Sequence, residues 1–126
     1  MFSVLIVDDN ESYRESLRNA FSQQFSDMLV VEAENLAQAL ERVEEISPDF
    51  VFIDLDLAGE SGLELARSIR NDHADINIAI LTNYDIPEYR QAAKDHGANF
   101  FFSKASSTIE DILAWIGSTS SSILIP

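Results

Sequence analysis

Asp54 closes the apolar run Phe50, Val51, Phe52, Ile53, and a loop holding Gly59 and Gly62 follows it. A short continuous apolar run between turn signals reads as a strand buried on both faces. An acid at its end emerges at the carboxyl edge of a sheet, the edge where open α/β sheets bind ligands. Taken alone, Asp54 fits the start of a turn equally well. Other strand ends carry polar groups too: Asp8 and Asp9 follow the run 2–7, Thr82 follows 76–81, and Lys104 follows 100–102 by way of Ser103. Each has a plainer explanation by itself, as helix-entry acids, an N-cap or a solvated lysine. In a parallel sheet all carboxyl ends share one rim, so four strands send these side chains to one place, which capping does not explain.

Charge then narrows the chemistry. Two unit charges at ~5 Å repel by about 3 kcal/mol at an effective dielectric near ~20. Three carboxylates on one rim need a positive neighbour, or one of their pKa values must rise. Lys104 supplies one charge. A hard divalent cation supplies two more, and oxygen-only ligands suit Mg²⁺ or Mn²⁺. Zn²⁺ is disfavoured, since it usually takes Cys or His; there is no Cys, and the two histidines, His73 and His96, sit in or beside predicted helices and read as surface residues. A carboxylate, a hard cation, a hydroxyl and a lysine are what phosphoryl transfer to Asp54 requires. Asp54 attacks phosphorus, the cation and Lys104 neutralise the transferred oxygens, and Thr82 hydrogen-bonds one of them.

The elements that must position these groups follow from periodicity and caps. Asn10 is placed to cap a helix carrying Tyr13, Leu17, Ala20, Phe21 and Phe25 at three- and four-residue steps. Residues 28–31 form an apolar run continued by Ala33, and Asn35 then caps a helix with the stripe Leu36, Leu40, Val43. Ser47 and Pro48 stop it. Ser61 and Glu64 have capping-box spacing ahead of a helix with Leu65 and Ile69, and 71–75 is polar and turn-like. Pro87 suits the first position of a short helix and Gly97 the position just past its end. Ser107 and Glu110 form a second capping-box pattern before Ile109, Ile112, Leu113 and Ile116. The stretch 117–122 is Ser-rich and reads as a frayed tail or linker stub, and 123–125 is apolar without an assigned role. Five strands alternating with five helices predict a parallel sheet covered on both faces.

Composition sets outer limits. The chain has 126 residues, one domain's worth, with 46% hydrophobic residues and a formal net charge of −14. Such a charge repels nucleic acid phosphates and anionic membranes, and suits a basic partner patch or a cation site. Without cysteine there is no disulfide framework. No stretch approaches 18 consecutive apolar residues, and the first seven residues are too short for a signal segment, so a cytoplasmic protein is expected.

These residues resemble the response regulator receiver domains of two-component signalling. The resemblance rests on Asp8 and Asp9 after the first strand, on Pro48 and Asp49 leading into the strand that ends at Asp54, on Gly59 and Gly62 beyond it, on Ile80, Leu81 and Thr82, and on Phe101, Phe102, Ser103 and Lys104. It implies a doubly wound, flavodoxin-like fold with a five-stranded parallel sheet of order 2-1-3-4-5, a receiver domain over 1–117 and a tail over 118–126. It implies that Asp54 accepts phosphate from a histidine kinase or phosphotransfer protein. Asp9, Asp54 and the backbone carbonyl of Asp56 would bind Mg²⁺ directly, and Asp8 mainly through water. Lys104 and Thr82 would contact the phosphoryl group, and Phe101 would turn inward as Thr82 moves. The fourth helix, last strand and fifth helix would then present a changed face to an output domain, a target protein or a second copy in a homodimer. Four positions depart from the common pattern. Ala105 follows Lys104 where many receivers have Pro, in a Lys-Ala-Ser-Ser form similar to receivers joined to helix-turn-helix output domains. Ala58 replaces the usual Pro, Asn83 stands where a small residue is usual, and Phe101 lacks the hydroxyl of a Tyr. Asp56 and Tyr84 flank the site and are expected to tune dephosphorylation.

Phosphatases of the haloacid dehalogenase type share part of this order. In that reading Asp54 is the nucleophile, Asp56 the general acid/base, and Thr82, Asn83 and Lys104 complete the set. Their metal-binding acids follow the lysine, whereas here the acid pair comes first. A third reading is a receiver without phosphorylation that acts as a binding module.

Overall fold

The computed structural model describes the backbone of residues 2–124 and the side chains of residues 2–119. The elements are β1 (Phe2–Val7), α1 (Glu11–Gln24), β2 (Met28–Ala33), α2 (Leu36–Ile46), β3 (Phe50–Asp54), β4 (Asp56–Leu57), β5 (Glu60–Ser61), α3 (Gly62–Asp72), β6 (Asn77–Thr82), α4 (Pro87–Asp95), β7 (Phe100–Ser103) and α5 (Ile109–Leu124). Five strands form one sheet in the order β2-β1-β3-β6-β7, with every pairing parallel. Leaving out the two-residue strands β4 and β5, which pair antiparallel as a separate ribbon, this is the expected order 2-1-3-4-5.

Strand side chains alternate between faces, and the core divides accordingly. Leu5, Val7, Val51, Ile53, Ile78 and Ile80 pack with Ala39, Val43, Leu65, Ala66, Ile69 and Ala93 of α2, α3 and α4. Val4, Ile6, Phe50, Phe52, Ala79 and Leu81 pack with Leu17, Phe21, Ile112 and Ile116 of α1 and α5. All five residues of β3 are buried, as a continuous apolar run between two helical layers requires. Phe52 sits with its ring 5.5 Å from Phe21 and 5.7 Å from Trp115. Burying each such side chain contributes about 1.5–3 kcal/mol.

Local signals put the starts of α1, α2, α3 and α4, and the end of α4, where the sequence places them. Asn10 Oδ1 accepts the Tyr13 N–H at 3.1 Å, Asn35 Oδ1 the Gln38 N–H at 2.9 Å, and Ser61 Oγ the Glu64 N–H at 3.4 Å. Pro87 opens α4, and Gly97, with φ of 93°, follows its cap.

Several sequence expectations are corrected. In α2 the buried residues are Ala39 and Val43, while Leu40 is 38% exposed. At 100° per residue Leu40 lies about 60–100° around the helix from those two, off the face that meets the sheet. The second capping box is one residue later than the Ser107 spacing suggests: Thr108 Oγ1 accepts the Asp111 N–H at 3.2 Å and Asp111 Oδ2 accepts the Thr108 N–H at 2.8 Å. Ser107 is drawn back instead to the end of β7, where its Oγ accepts the Ser103 N–H at 3.2 Å. Helix α3 extends to Asp72, into the stretch read as a turn, because Arg70 Nη1 donates to the carbonyls of His73 and Ala74 just beyond its end. Helix α5 continues past Gly117 through the Ser-rich stretch to Leu124. One interior Gly costs only about 1 kcal/mol against Ala, and Ser118 Oγ donates to the Trp115 carbonyl at 3.2 Å instead of ending the helix. Of the apolar stretch 123–125, Ile125 lies outside the described residues.

Candidate phosphoryl-transfer site

Parallel register sets the rim. Val7 pairs with Ile53, Asp54 with Leu81, and Thr82 with Ser103, so the groups that follow each pairing emerge side by side. Asp8 is completely buried. Its N–H donates to the Ala33 carbonyl at 3.1 Å, its Oδ1 accepts the Asn10 N–H at 2.9 Å, and its carbonyl accepts from Arg14 Nη1 at 2.5 Å. The carboxylate is therefore held by the chain on both sides of it. Asp9 is exposed, and one carboxylate oxygen from each of Asp8, Asp9 and Asp54 lies within 4.8 Å of the others.

Asp54 is 9% exposed, and its Oδ1 accepts the Asp56 N–H at 3.3 Å. A close approach shapes its backbone: a Cβ at position 62 would stand 2.1 Å from the Asp54 carbonyl oxygen, so only Gly lets α3 start here. Lys104 continues from β7, with its N–H donating to the Thr82 carbonyl at 2.6 Å. Its Nζ lies 2.7 Å from Asp8 Oδ2 and 3.4 Å from Asp54 Oδ2. Thr82 is buried, and its Oγ1 accepts the Tyr84 N–H at 3.1 Å. That contact uses an oxygen lone pair and leaves the hydroxyl proton for an incoming oxygen.

Burial, with the nearby charge of Asp8 second, raises the Asp54 carboxyl to about 6 against the restoring pull of Lys104 and the Asp56 N–H. Asp54 is thus a carboxylate that is poorly solvated and short of positive charge. The donor set fits a hard divalent cation: three carboxylates and no sulfur or imidazole among them. Three acids share one lysine here, and a cation of that kind would offset the remaining negative charge.

The expected residues separate into those the fold assembles and those it does not. Asp8, Asp9, Asp54 and Lys104 converge. The Asp56 carboxylate is exposed and outside the acidic group, so the backbone of Asp56 is its link to Asp54. Phe101 is buried against the α4 layer, with the Arg90 guanidinium 4.8 Å from its ring centre. His73 and His96, expected at the surface, are half-buried. Each follows the last residue of its helix; His73 Nε2 lies 3.6 Å from Glu44 Oε1 of α2, whereas the His96 ring folds back onto its own helix. His96 Nδ1 lies 2.7 Å from the Ala92 carbonyl, and Nε2 lies 3.0 Å from Arg67 Nη2. Neither belongs to the acidic group.

One site residue was not anticipated. Periodicity places Tyr13 only in the α1 stripe, yet its ring centre lies 4.3 Å from Lys104 Nζ. Burial, then the charges of Asp8 and Asp54, push its phenol up to about 12. Its place one turn into the helix after Asp9 was the available signal.

A fold and rim of this kind define a doubly wound phospho-accepting domain, and comparison with known proteins agrees. The family model for the response regulator receiver domain matches residues 4–116. Response regulator MprA of Mycobacterium sp. (strain KMS) is 34% identical over 111 residues, covering 88% of this chain and 47% of MprA. A response regulator from Burkholderia pseudomallei, solved with a phosphorylated aspartic acid, calcium ion and citrate, is 27% identical with a TM-score of 0.84, covering 98% of this chain and 71% of that one. A two-component response regulator from Clostridium difficile superposes with a TM-score of 0.91 at 18% identity, over 99% of this chain and 100% of that one. The chain belongs to the response regulator receiver domain family, the phospho-accepting switches of two-component signalling. It spans about half the length of the curated relatives it matches. The motif order shared with haloacid dehalogenase phosphatases does not outweigh this match.

Proposed function

We propose that Asp54 is the phosphoacceptor and that Asp8, Asp9, Thr82 and Lys104 serve its phosphorylation. The observation that carries this reading is the Lys104 ammonium lying between the carboxylates of Asp8 and Asp54, 2.7 and 3.4 Å away. An Asp54 carboxylate oxygen forms a bond to phosphorus as the donor's P–N bond (phosphohistidine) or P–O bond (acyl phosphate) breaks. The leaving group departs with the bonding pair, the imidazole nitrogen taking a proton from solvent and the acyl oxygen leaving as a carboxylate. Lys104 moves its contact from Asp54 to a phosphoryl oxygen while keeping Asp8, and the Thr82 hydroxyl donates to another. Asp9, Asp54 and the carbonyl of Asp56 would hold Mg²⁺ (or Mn²⁺), with Asp8 acting through water. When bound, the ion neutralises charge on the phosphoryl oxygens. The phosphorylated aspartic acid and calcium ion of the Burkholderia pseudomallei protein support both assignments.

Phosphorylation replaces the single carboxylate charge of Asp54 with a phosphoryl group carrying about two, a net gain of about one negative charge at the rim. Thr82 joins that rim to the start of the β6–α4 connection, and Phe101 lies on the next strand. We assign the readout to the face of α4, β7 and α5. There a cleft of about 370 Å³ is lined by Arg90, Ala93, Lys94, Phe101 and the 44% exposed Phe100. The donor is a sensor histidine kinase or phosphotransfer protein. The reader is an output domain or a separate target, in keeping with curated relatives about twice as long. No helix among the described residues is long and apolar enough to cross a membrane, and the charge of −14 argues against direct nucleic acid binding. We place the domain in the cytoplasm, where such kinases expose their phosphohistidine, and assign it no turnover beyond its own phosphorylation and dephosphorylation.

Intact-mass measurement with acetyl phosphate and Mg²⁺ tests the reading. A gain of one phosphoryl group is expected in the wild type and not in Asp54→Asn. The same gain in the variant removes Asp54 from the role, and no gain in either supports a binding module.

A further inference from the structure

We propose that Tyr13 is a positioning residue for Asp54 phosphorylation, its ring face holding the Lys104 ammonium while that ammonium exchanges a carboxylate for a phosphoryl oxygen. The proposal rests on Asp54 being the phosphoacceptor.

An ammonium has three N–H donors. At Lys104 one faces Asp8 Oδ2 at 2.7 Å and a second faces Asp54 Oδ2 at 3.4 Å. The ring of Tyr13, centred 4.3 Å from Nζ, occupies a third side. The Lys104 side chain is 10% exposed, so the ring stands where water would otherwise solvate the charge. An aromatic face carries negative quadrupole density and attracts a cation over a broad area without a fixed direction. That breadth matters in the transfer step. Lys104 must leave one Asp54 oxygen and meet a phosphoryl oxygen nearby, and a flat attractive face lets Nζ slide between them. A hydrogen bond in the same place would hold it at one point.

The ring is well anchored for the task. Tyr13 lies in the first turn of α1, where its N–H donates to Asn10 Oδ1 at 3.1 Å. The N–H of the same Asn10 donates to Asp8 Oδ1 at 2.9 Å. One cap residue therefore ties the ring and the buried acid to a common frame, and Lys104 bridges them from the far end of the chain. Further along the helix, Leu17 and Phe21 are completely buried. Tyr13 packs against the edge of that core but is only half-buried, so its ring reaches the rim as well.

The test is the rate of phosphorylation of the full chain by acetyl phosphate with saturating Mg²⁺, followed by intact mass. Tyr13→Leu keeps apolar bulk and removes the quadrupole; it is expected to slow the reaction roughly tenfold, or about 1.4 kcal/mol. Tyr13→Phe, which keeps the face, should restore most of that rate. In a Lys104→Met background Tyr13→Leu should cost nothing further, which general loosening of the site would not produce. A folded Tyr13→Leu protein as fast as wild type overturns the proposal. So does Tyr13→Phe as slow as Tyr13→Leu, or an undiminished cost without Lys104. Independently of phosphorylation, the Lys104 ammonium protons should show an upfield ring-current displacement by NMR in wild type and Tyr13→Phe, lost in Tyr13→Leu; its absence from the wild type overturns the ring contact. A wild type that takes no phosphate at Asp54 while showing that displacement sinks the phosphoacceptor reading, and with it the role of Tyr13 in transfer.

Discussion

Lys104 Nζ lies 2.7 Å from Asp8 Oδ2 across 96 residues of chain, and the Asp8 side chain is wholly inaccessible to solvent. Removing one partner of such a pair leaves an uncompensated buried charge, which costs about 3–5 kcal/mol. Lys104→Met is expected to lose stability on that scale in urea unfolding at neutral pH. Mg²⁺ should return more stability to the variant than to the wild type, because the acids then lack any other cation. A variant as stable as the wild type would show that the pair is not buried in solution.

Asp54 sets a pH dependence of known sign. Its folded-state pKa, about 6, is above the ordinary 3.8. The stability it contributes is therefore fully present below about pH 4 and is lost as pH rises through about 6. Asp54→Asn does not titrate. In the absence of divalent metal it should be more stable than wild type by about 1–3 kcal/mol at pH 7.5. That advantage should close as pH falls from about 6 to about 4. Thermal unfolding across this range measures it, and a variant less stable than wild type at pH 7.5 would contradict crowding of the acids.

Gly62 is the point where α3 passes the Asp54 backbone. In Gly62→Ala the new methyl meets a carbonyl oxygen at 2.1 Å and the Asp54 carbonyl carbon at 2.9 Å, and backbone cannot swing aside as a long side chain can. A loss of about 3 kcal/mol is expected. Slower phosphorylation should accompany it in the molecules that remain folded, because Asp54 must shift. Denaturant titration with mass measurement checks both.

Ala58 and Gly59 form the two-residue turn between β4 and β5, with φ of 49° and 93°. Two positive φ values in a row match a type I′ hairpin, which prefers Asn-Gly. Proline, usual here in receivers, is fixed near φ of about −65° and cannot adopt this turn. Ala58→Asn should raise stability by about 0.5–1 kcal/mol. Ala58→Pro should lower it, or force the ribbon into another path. Chemical denaturation of the two variants against wild type decides the matter.

Much of this arrangement is visible in the sequence because it depends on neighbours along the chain. Asn10, Asn35, Ser61, Pro87 and Gly97 act on backbone groups within about four residues, so their types and spacing suffice to place helix ends. The apolar runs ending at Asp8, Asp54 and Thr82 suffice to place buried parallel strands, and parallel pairing alone carries those groups to one rim. The same local logic misplaced what long-range contacts control. Spacing alone puts Leu40 on a stripe whose phase is set by the sheet beneath it. The second box began at Thr108, since Ser107 is held by Ser103, and α5 ran through serines that have no strong local preference against a helix. Both histidines gain cover from neighbouring helices, with Glu44 of α2 beside His73 and Arg67 of α3 beside His96. Tyr13 shows the division most clearly. Along the chain it is one apolar position in a helical period, indistinguishable in kind from Leu17. That its ring meets the ammonium of a lysine 91 residues later depends on the pairing register of two strands and the seating of α1 on the sheet, and no spacing in the sequence encodes that distance.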